Sequence, residues 1–115
     1  MAAALRGCDV TATDLPKITE LARENVANNM VGRGRIALTP LAWGDAAAAA
    51  RLSDQHGPFD VIVAADVLYL PEHCAALPNA VCAHLKPGGK VVVACGLRRT
   101  GLIDLLIAAF TKNNL

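Results

Sequence analysis

Carboxylates and one phenol follow apolar segments of the chain at positions where a ligand could be held. Asp14 ends a segment rich in β-branched residues, and Asp66 ends a continuous apolar segment, with Tyr69 three residues further on. A carboxylate beside a phenol can accept hydrogen bonds from an amine and align its lone pair. A carboxylate at a strand end can accept two hydrogen bonds from the ribose hydroxyls of a nucleoside. The residues therefore indicate a nucleoside site and an amine site.

Trp43 and Asp45 follow another apolar segment, and each can have a ligand-binding or a structural role. Trp43 offers a flat face on which an adenine can stack, and Asp45 can accept a hydrogen bond from an exocyclic amine. Equally, Trp43 can fill the core, while Asp45 and Asp14 can cap the helices that follow them. Both interpretations stay open for these three residues. For Asp66, helix capping is the weaker alternative, because a capping Asp is expected directly before Pro71.

Alternating strands and helices must position these residues. The patterns predict strands over 8–14, 35–43, 59–66 and 90–95, and helices over 16–29, 46–52, 70–85 and 102–110. Pro40 is expected to restrict its strand to an edge or to end it early, and Pro78 to break its helix into two pieces. Lys86–Gly89 predicts a tight turn, and the apolar centre of 59–66 predicts a strand covered by helices on both faces.

The alternation predicts an α/β fold with a Rossmann-like, doubly wound parallel sheet. In such sheets, ligands bind at the carboxyl ends of the strands, where the candidate residues lie. The pair Arg98–Arg99 follows the last strand and can either bind an acidic substrate or remain solvated. At 115 residues, the chain is expected to form one domain, 1–115.

Composition excludes several classes of protein. A hydrophobic fraction of 54% excludes a disordered chain, and an aromatic fraction of 3% with a net charge of +1 disfavours nucleic acid as a partner. The four cysteines contain no C-x-x-C pair and are predicted to be buried, reduced thiols of an intracellular protein, cytoplasmic or nuclear. The three histidines are predicted to lie at the surface without forming a metal site, and the apolar runs are too short to span a membrane.

Together these segments resemble the class I S-adenosylmethionine-dependent methyltransferases. Within that class, the resemblance is closest to the lysine methyltransferase group called methyltransferase family 16, and it covers nearly the whole chain. The matching segments are Val10–Leu15, Leu41–Asp45, Phe59–Tyr69 and Leu85–Gly89. The most specific are the Trp43-Gly44-Asp45 step and the match of Asp66–Tyr69 to the D-x-x-Y motif of the group.

The resemblance implies S-adenosylmethionine as the cofactor and a protein lysine as the substrate. By that resemblance Asp14 binds the ribose, Trp43 contacts the adenine and Ala65 lines the cofactor pocket. Asp66 and Tyr69 position the amine that is methylated. Orientation supplies most of the rate of such a transfer, so neither a metal nor a covalent nucleophile is expected.

The chain also departs from the family pattern. That pattern opens with a central strand and a glycine-rich loop, whereas Gly32-x-Gly34 follows a helix and Gly88–Gly89 precedes a strand. Residues 1–7 instead predict the last turns of the helix after that loop, and the closing C-terminal hairpin is not found. We therefore expect a truncated, partial methyltransferase domain that is inactive alone unless a partner supplies the strand.

Two other functions remain as alternatives to this expectation. The first is a non-catalytic fragment or pseudoenzyme that acts as a protein-interaction module. The second is a Rossmann-type nicotinamide protein, which is disfavoured because the chain contains no G-x-G-x-x-G sequence.

Overall fold

The computed structural model describes residues 1–29, 35–96 and 100–115. These residues form two compact units, Met1–His56 and Gly57–Leu115. Each unit contains one pair of parallel strands. The predicted alternation of strands and helices and the parallel pairing are confirmed. A single doubly wound sheet stays a prediction, because the described strands form two separate pairs.

The first unit is built from three helices and two strands. They are α1 (Ala2–Leu5), β1 (Asp9–Asp14), α2 (Pro16–Asn29), β2 (Arg35–Pro40) and α3 (Ala46–His56). β1 and β2 pair from Asp9 opposite Arg35 to Asp14 opposite Pro40, and α2 packs on both strands. Pro40 therefore ends β2 early, which is one of the two outcomes expected of it.

α3 is longer than the predicted helix over 46–52. It continues to His56, and the next residue, Gly57, has a positive φ of 64°. Within the helix, the buried residues Ala48 and Leu52 are four positions apart and lie on one face. The Nε2 atom of His56 lies 3.2 Å from Oγ1 of Thr39, so the end of α3 contacts β2.

The second unit contains the remaining four elements. They are β3 (Phe59–Ala65), α4 (His73–His84), β4 (Leu85–Ala94) and α5 (Thr100–Lys112). β3 and β4 pair regularly from Val61 opposite Lys90 to Ala65 opposite Ala94. Before this regular ladder, Phe59 pairs with Leu85, and the register then shifts, so the start of β4 is irregular. The turn predicted over Lys86–Gly89 lies in this irregular start, and Gly88 has the positive φ of 75° that a turn requires.

The prediction that the 59–66 strand is covered on both faces is wrong for the chain as described. Val61 and Val63 on β3 are 52% and 68% exposed, and Val92 on β4 is 51% exposed. Residues at the alternate positions, Val91 and Val93, face α5. One face of the β3–β4 pair therefore borders a cavity that α5 also lines, while the other presents valines to solvent.

Helix α4 corrects two predictions about its own residues. It continues through Pro78, which is almost fully buried, instead of breaking into two pieces there. Burial of the proline ring offsets part of the cost of the missing hydrogen bond. The helix also ends on His84, which is only 4% exposed, so the prediction of a surface histidine is wrong for this residue.

The prediction that all the cysteines are buried is also wrong. Only Cys74, on the packed face of α4, is buried, Cys95 is half-buried, and Cys8 and Cys82 are exposed. Burial raises the pKa of the Cys74 thiol, and its Sγ lies 3.2 Å from the carbonyl oxygen of Leu102. The thiol therefore links α4 to α5.

Two kinds of feature are absent from the described residues, 1–29, 35–96 and 100–115. None of the helices in those ranges has the length and apolar character that crossing a membrane requires. In the same ranges, no three side chains of the His, Cys, Asp and Glu types group as they would around a metal ion.

Candidate functional site

Asp14 and the segment after β2 lie at one edge of the first unit. Leu41, the residue that follows β2, donates its backbone N–H to the carbonyl oxygen of Asp14 at 2.8 Å. Because β1 and β2 are parallel, both of their carboxyl ends lie at this edge. Asp14 and the start of the segment leading to Trp43 are therefore neighbours.

The Asp14 side chain does not hold the capping position of α2. Leu15 holds that position, because its carbonyl oxygen accepts the N–H of Thr19 at 3.0 Å. Oδ1 of Asp14 accepts the N–H of Leu15 at 2.7 Å. Asp14 is exposed one position ahead of the cap. A carboxylate oriented by the chain and open to solvent can still accept hydrogen bonds from a hydroxylated ligand.

Asp45 does cap a helix, as its alternative interpretation proposed. Gly44 turns the chain at a φ of 95°, and Oδ1 of Asp45 then accepts the N–H of Ala48 at 2.9 Å. This is the N-cap geometry that stabilises the first turn of α3. Trp43, just before the turn, is half-buried, so both interpretations of its ring stay open.

Asp66 begins a loop at the carboxyl end of β3 in the second unit. Ala65 pairs with Ala94 in the ladder, and Asp66 donates its N–H to the carbonyl oxygen of Ala94 at 2.8 Å. Asp66 has a φ of 54°, in the left-handed region that few residues other than glycine adopt. Its carboxylate and the side chain of Ala65 are exposed. The chain thus leaves the ladder at a constrained residue whose carboxylate is accessible.

Tyr69 ends this loop against His73, the first residue of α4. The N–H of Tyr69 donates to Nδ1 of His73 at 3.2 Å, and the two rings meet edge to face, with centroids 6.2 Å apart at 87°. The tyrosine is 59% exposed. Asp66 does not serve as the helix cap, since Glu72 occupies that position, without a side-chain hydrogen bond to the helix.

The sequence predictions did not single out His73, whose ring contacts Tyr69. They place all three histidines at the surface, without the spacing of metal ligands. A histidine four positions after the tyrosine, at the start of a helix, was the available signal.

The candidate residues fall into two groups, one in each unit. Asp14, Trp43 and Asp45 belong to the first unit, and Ala65, Asp66 and Tyr69 to the second. Two other sequence features, Gly32-x-Gly34 and Arg98–Arg99, lie outside the described residues.

The ion pair of the second unit lies near the opposite end of β3. Nζ of Lys86 lies 2.8 Å from Oδ1 of Asp60, and this hydrogen bond lowers the pKa of the Asp60 carboxyl below its ordinary value. Asp60 is the second residue of β3, whereas Asp66 follows its last residue. The pair therefore joins β3 to the irregular start of β4 and does not contribute to the loop from Asp66 to Tyr69.

Comparison with known proteins gives a consistent family. A sequence model of a family described as lysine methyltransferase matches residues 1–107. EEF1A lysine methyltransferase 3 of Mus musculus is 34% identical over 99 residues, which are 84% of this chain and 39% of that protein. Ribosomal protein L11 methyltransferase of Rhizobium rhizogenes is 38% identical over 91 residues, which are 78% of this chain and 28% of that protein.

The chain thus spans well under half the length of the curated relatives it matches. The family match covers both units, including the edge that holds Asp14 and the loop from Asp66 to Tyr69. The chain belongs to the lysine methyltransferase family.

Proposed function

We propose that this chain contributes the cofactor edge and the amine-positioning loop of an S-adenosylmethionine-dependent protein-lysine methyltransferase. Family membership supports the reaction class, and the name of the mouse relative supports lysine as the target. The observation that carries the proposal is the loop from Asp66 to Tyr69, which follows β3 with both ends hydrogen-bonded and both functional side chains exposed.

The residues at the first unit's edge have the chemistry that an adenosine group requires. Asp14 presents a carboxylate suited to ribose hydroxyls, and the ring of Trp43 can lie against an adenine. Asp45 already accepts one hydrogen bond through Oδ1, which leaves its second oxygen for an exocyclic amine. When bound, S-adenosylmethionine supplies a methyl group on a sulfonium. Its adenosine end would be held by these three side chains.

The loop of the second unit would act on the substrate amine. The carboxylate of Asp66 and the hydroxyl of Tyr69 can accept hydrogen bonds from a lysine amine and direct its lone pair. Such orientation turns an encounter between two molecules into a step within one complex, which is the main source of rate for this transfer. Ala65, at the end of β3, would leave room for the cofactor beside Asp66.

We propose further that residues 1–115 do not suffice for this activity. β1 and β3 are each paired on one side only within the described ranges, and the valines of β3 are exposed. A strand supplied by further residues of a longer chain, or by a partner protein, would pair with the open edges, whereas covering the valines requires an element packed on that face. The free cysteines support a location of the protein in the cytoplasm or nucleus.

The same exposed valines favour a second candidate, a non-catalytic interaction module. A contiguous apolar face on a folded chain commonly marks a contact with another protein. In that case the chain would bind its partner through Val61, Val63 and Val92, and would transfer no methyl group when completed.

A completed chimera tests the first proposal against the second. In it, residues 1–115 replace the matched part of the mouse relative, and the unmatched residues of that protein complete the chain. We expect transfer of a labelled methyl group from S-adenosylmethionine to lysine in EEF1A or ribosomal protein L11. Asp66→Asn and Tyr69→Phe should each abolish the transfer, and the control Asp54→Asn, an exposed position of α3, should not. A folded chimera that binds the cofactor without transfer would contradict the first proposal.

A further inference from the structure

The loop from Asp66 to Tyr69 is held at its two ends by different kinds of group. At its start, the main chain of β4 accepts the N–H of Asp66 through Ala94. At its end, a side chain accepts the N–H of Tyr69, through Nδ1 of His73 at 3.2 Å. The first hydrogen bond continues the β ladder, and the second depends on one residue of α4.

His73 contacts the tyrosine ring as well as its backbone. The two rings lie edge to face, with centroids 6.2 Å apart and an interplanar angle of 87°. This geometry places the positive edge of one ring toward the negative face of the other and is favoured among aromatic pairs. Both the backbone and the ring of Tyr69 are thus oriented by one imidazole.

The hydrogen bond also fixes the chemical state of that imidazole. A backbone N–H can only donate, so Nδ1 of His73 must carry a lone pair. In this state, the ring is neutral and its proton resides on Nε2.

We propose that His73, in its neutral form with the proton on Nε2, is a positioning residue for methyl transfer that acts through Tyr69. It holds the tyrosine backbone through Nδ1 and the tyrosine ring through its own ring, and so sets where the hydroxyl meets the substrate amine. The proposal rests on the proposed function of Tyr69.

Three substitutions of His73 separate the two contacts. His73→Asn keeps an acceptor oxygen close to the position of Nδ1, and His73→Phe keeps a ring without an acceptor. His73→Ala removes both. Asn79→Ala, an exposed position of the same helix, is the matched control.

The first measurement uses the 115-residue chain and needs no activity. Amide hydrogen exchange at Tyr69 should be about tenfold faster in His73→Phe and His73→Ala, since one hydrogen bond is lost. It should stay close to the unsubstituted rate in His73→Asn and in Asn79→Ala. Nitrogen chemical shifts of the His73 ring should show the proton on Nε2. Unchanged exchange in both His73→Phe and His73→Ala, or a proton on Nδ1, would overturn the proposal.

The second measurement uses the completed chimera. His73→Phe should lower kcat roughly tenfold while KM for S-adenosylmethionine is unchanged, and His73→Asn should restore most of kcat. If exchange at Tyr69 rises while kcat keeps the unsubstituted value, the positioning role is refuted. If the unsubstituted chimera transfers no methyl group, the proposed function fails instead, and the exchange result alone decides whether His73 holds Tyr69.

Discussion

Asp66 donates its backbone N–H to the carbonyl oxygen of Ala94 at 2.8 Å, and it does so with a φ of 54°. The hydrogen bond continues the parallel ladder by one step, while the left-handed backbone turns the chain out of the strand. The carboxylate at this position follows the last residue of β3 and is exposed. Conformations of this kind persist where the surroundings impose them, and they are frequent at functional sites.

Substitutions at Asp66 should separate the role of the backbone from that of the carboxylate. Asp66→Ala should destabilise the second unit by about 1 kcal/mol, because alanine resists the left-handed conformation, whereas Asp66→Gly should not. In the completed chimera, both variants should lose methyl transfer and keep their affinity for S-adenosylmethionine. Urea unfolding, calorimetry and turnover measure the three effects. Equal losses of cofactor affinity and turnover would place Asp66 in the cofactor site.

The edge of the first unit should determine cofactor affinity. In the completed chimera, Asp14→Asn and Trp43→Leu should each weaken binding of S-adenosylmethionine by roughly 1–3 kcal/mol, through a lost hydrogen bond or a lost stacked ring. Asp45→Ser is a useful comparison because serine retains the capping oxygen for Ala48. It should preserve helix stability and weaken binding only if Asp45 accepts a hydrogen bond from the adenine. Unchanged affinity in the Asp14 and Trp43 variants would refute the adenosine site.

The sequence could predict the order of the elements because each depends on its own residues. Pro16 begins α2, Pro40 ends β2, and the β-branched segments form the four strands. The exposure of Val61 and Val63 could not be predicted in this way. An apolar strand shows that a cover is required, but burial depends on which elements are present to provide it.

Tertiary contacts also explain the other differences between the sequence predictions and the structure. Pro78 disfavours a helix locally, yet packing of α4 keeps the proline inside it, buried beside Val81 on the same helix. His84 becomes buried because the helix presents it on the packed face with Cys74 and Leu77. The role proposed for His73 depends on a hydrogen bond to a loop whose path the sequence does not specify. At the candidate site, residue types could therefore be predicted, and their partners could not.

The stability of the chain should fall in mild acid because of His84. Burial lowers the pKa of this histidine below its ordinary value of 6.5, so the folded chain favours the neutral ring. As the pH falls through 6.5, the unfolded chain binds a proton first, and the free energy of unfolding decreases until the lowered pKa is passed. His84→Leu should flatten this dependence between neutral pH and mild acid in urea unfolding. An identical decrease in the two proteins would assign the effect to other groups.

Gly89 should resist substitution for a steric reason. A Cβ atom at this position would lie 2.7 Å from Cδ1 of Leu85 and 2.9 Å from the carbonyl oxygen of Lys86. The side chain can move, but the carbonyl belongs to the backbone of the irregular start of β4. Gly89→Ala should therefore lower the free energy of unfolding by roughly 1–3 kcal/mol. Gly96→Ala, where nothing lies within 4 Å of the new atom, is the control and should change stability little. Equal effects of the two substitutions would exclude the steric explanation.

Residues 1–115 alone should neither bind S-adenosylmethionine with useful affinity nor transfer a methyl group. In the described ranges, β1 pairs only with β2 and β3 only with β4, so each of these strands has one open edge. Each open edge carries backbone groups whose missing hydrogen bonds cost on the order of 1 kcal/mol apiece, against a typical domain stability of roughly 5–15 kcal/mol. The exposed valines of β3 add an apolar surface that favours aggregation. Titration calorimetry of the purified chain, beside thermal unfolding with and without the ligand, should show no saturable heat and no ligand-induced rise in Tm. Micromolar binding by a cooperatively folded monomer would show instead that these residues hold the cofactor without a further strand.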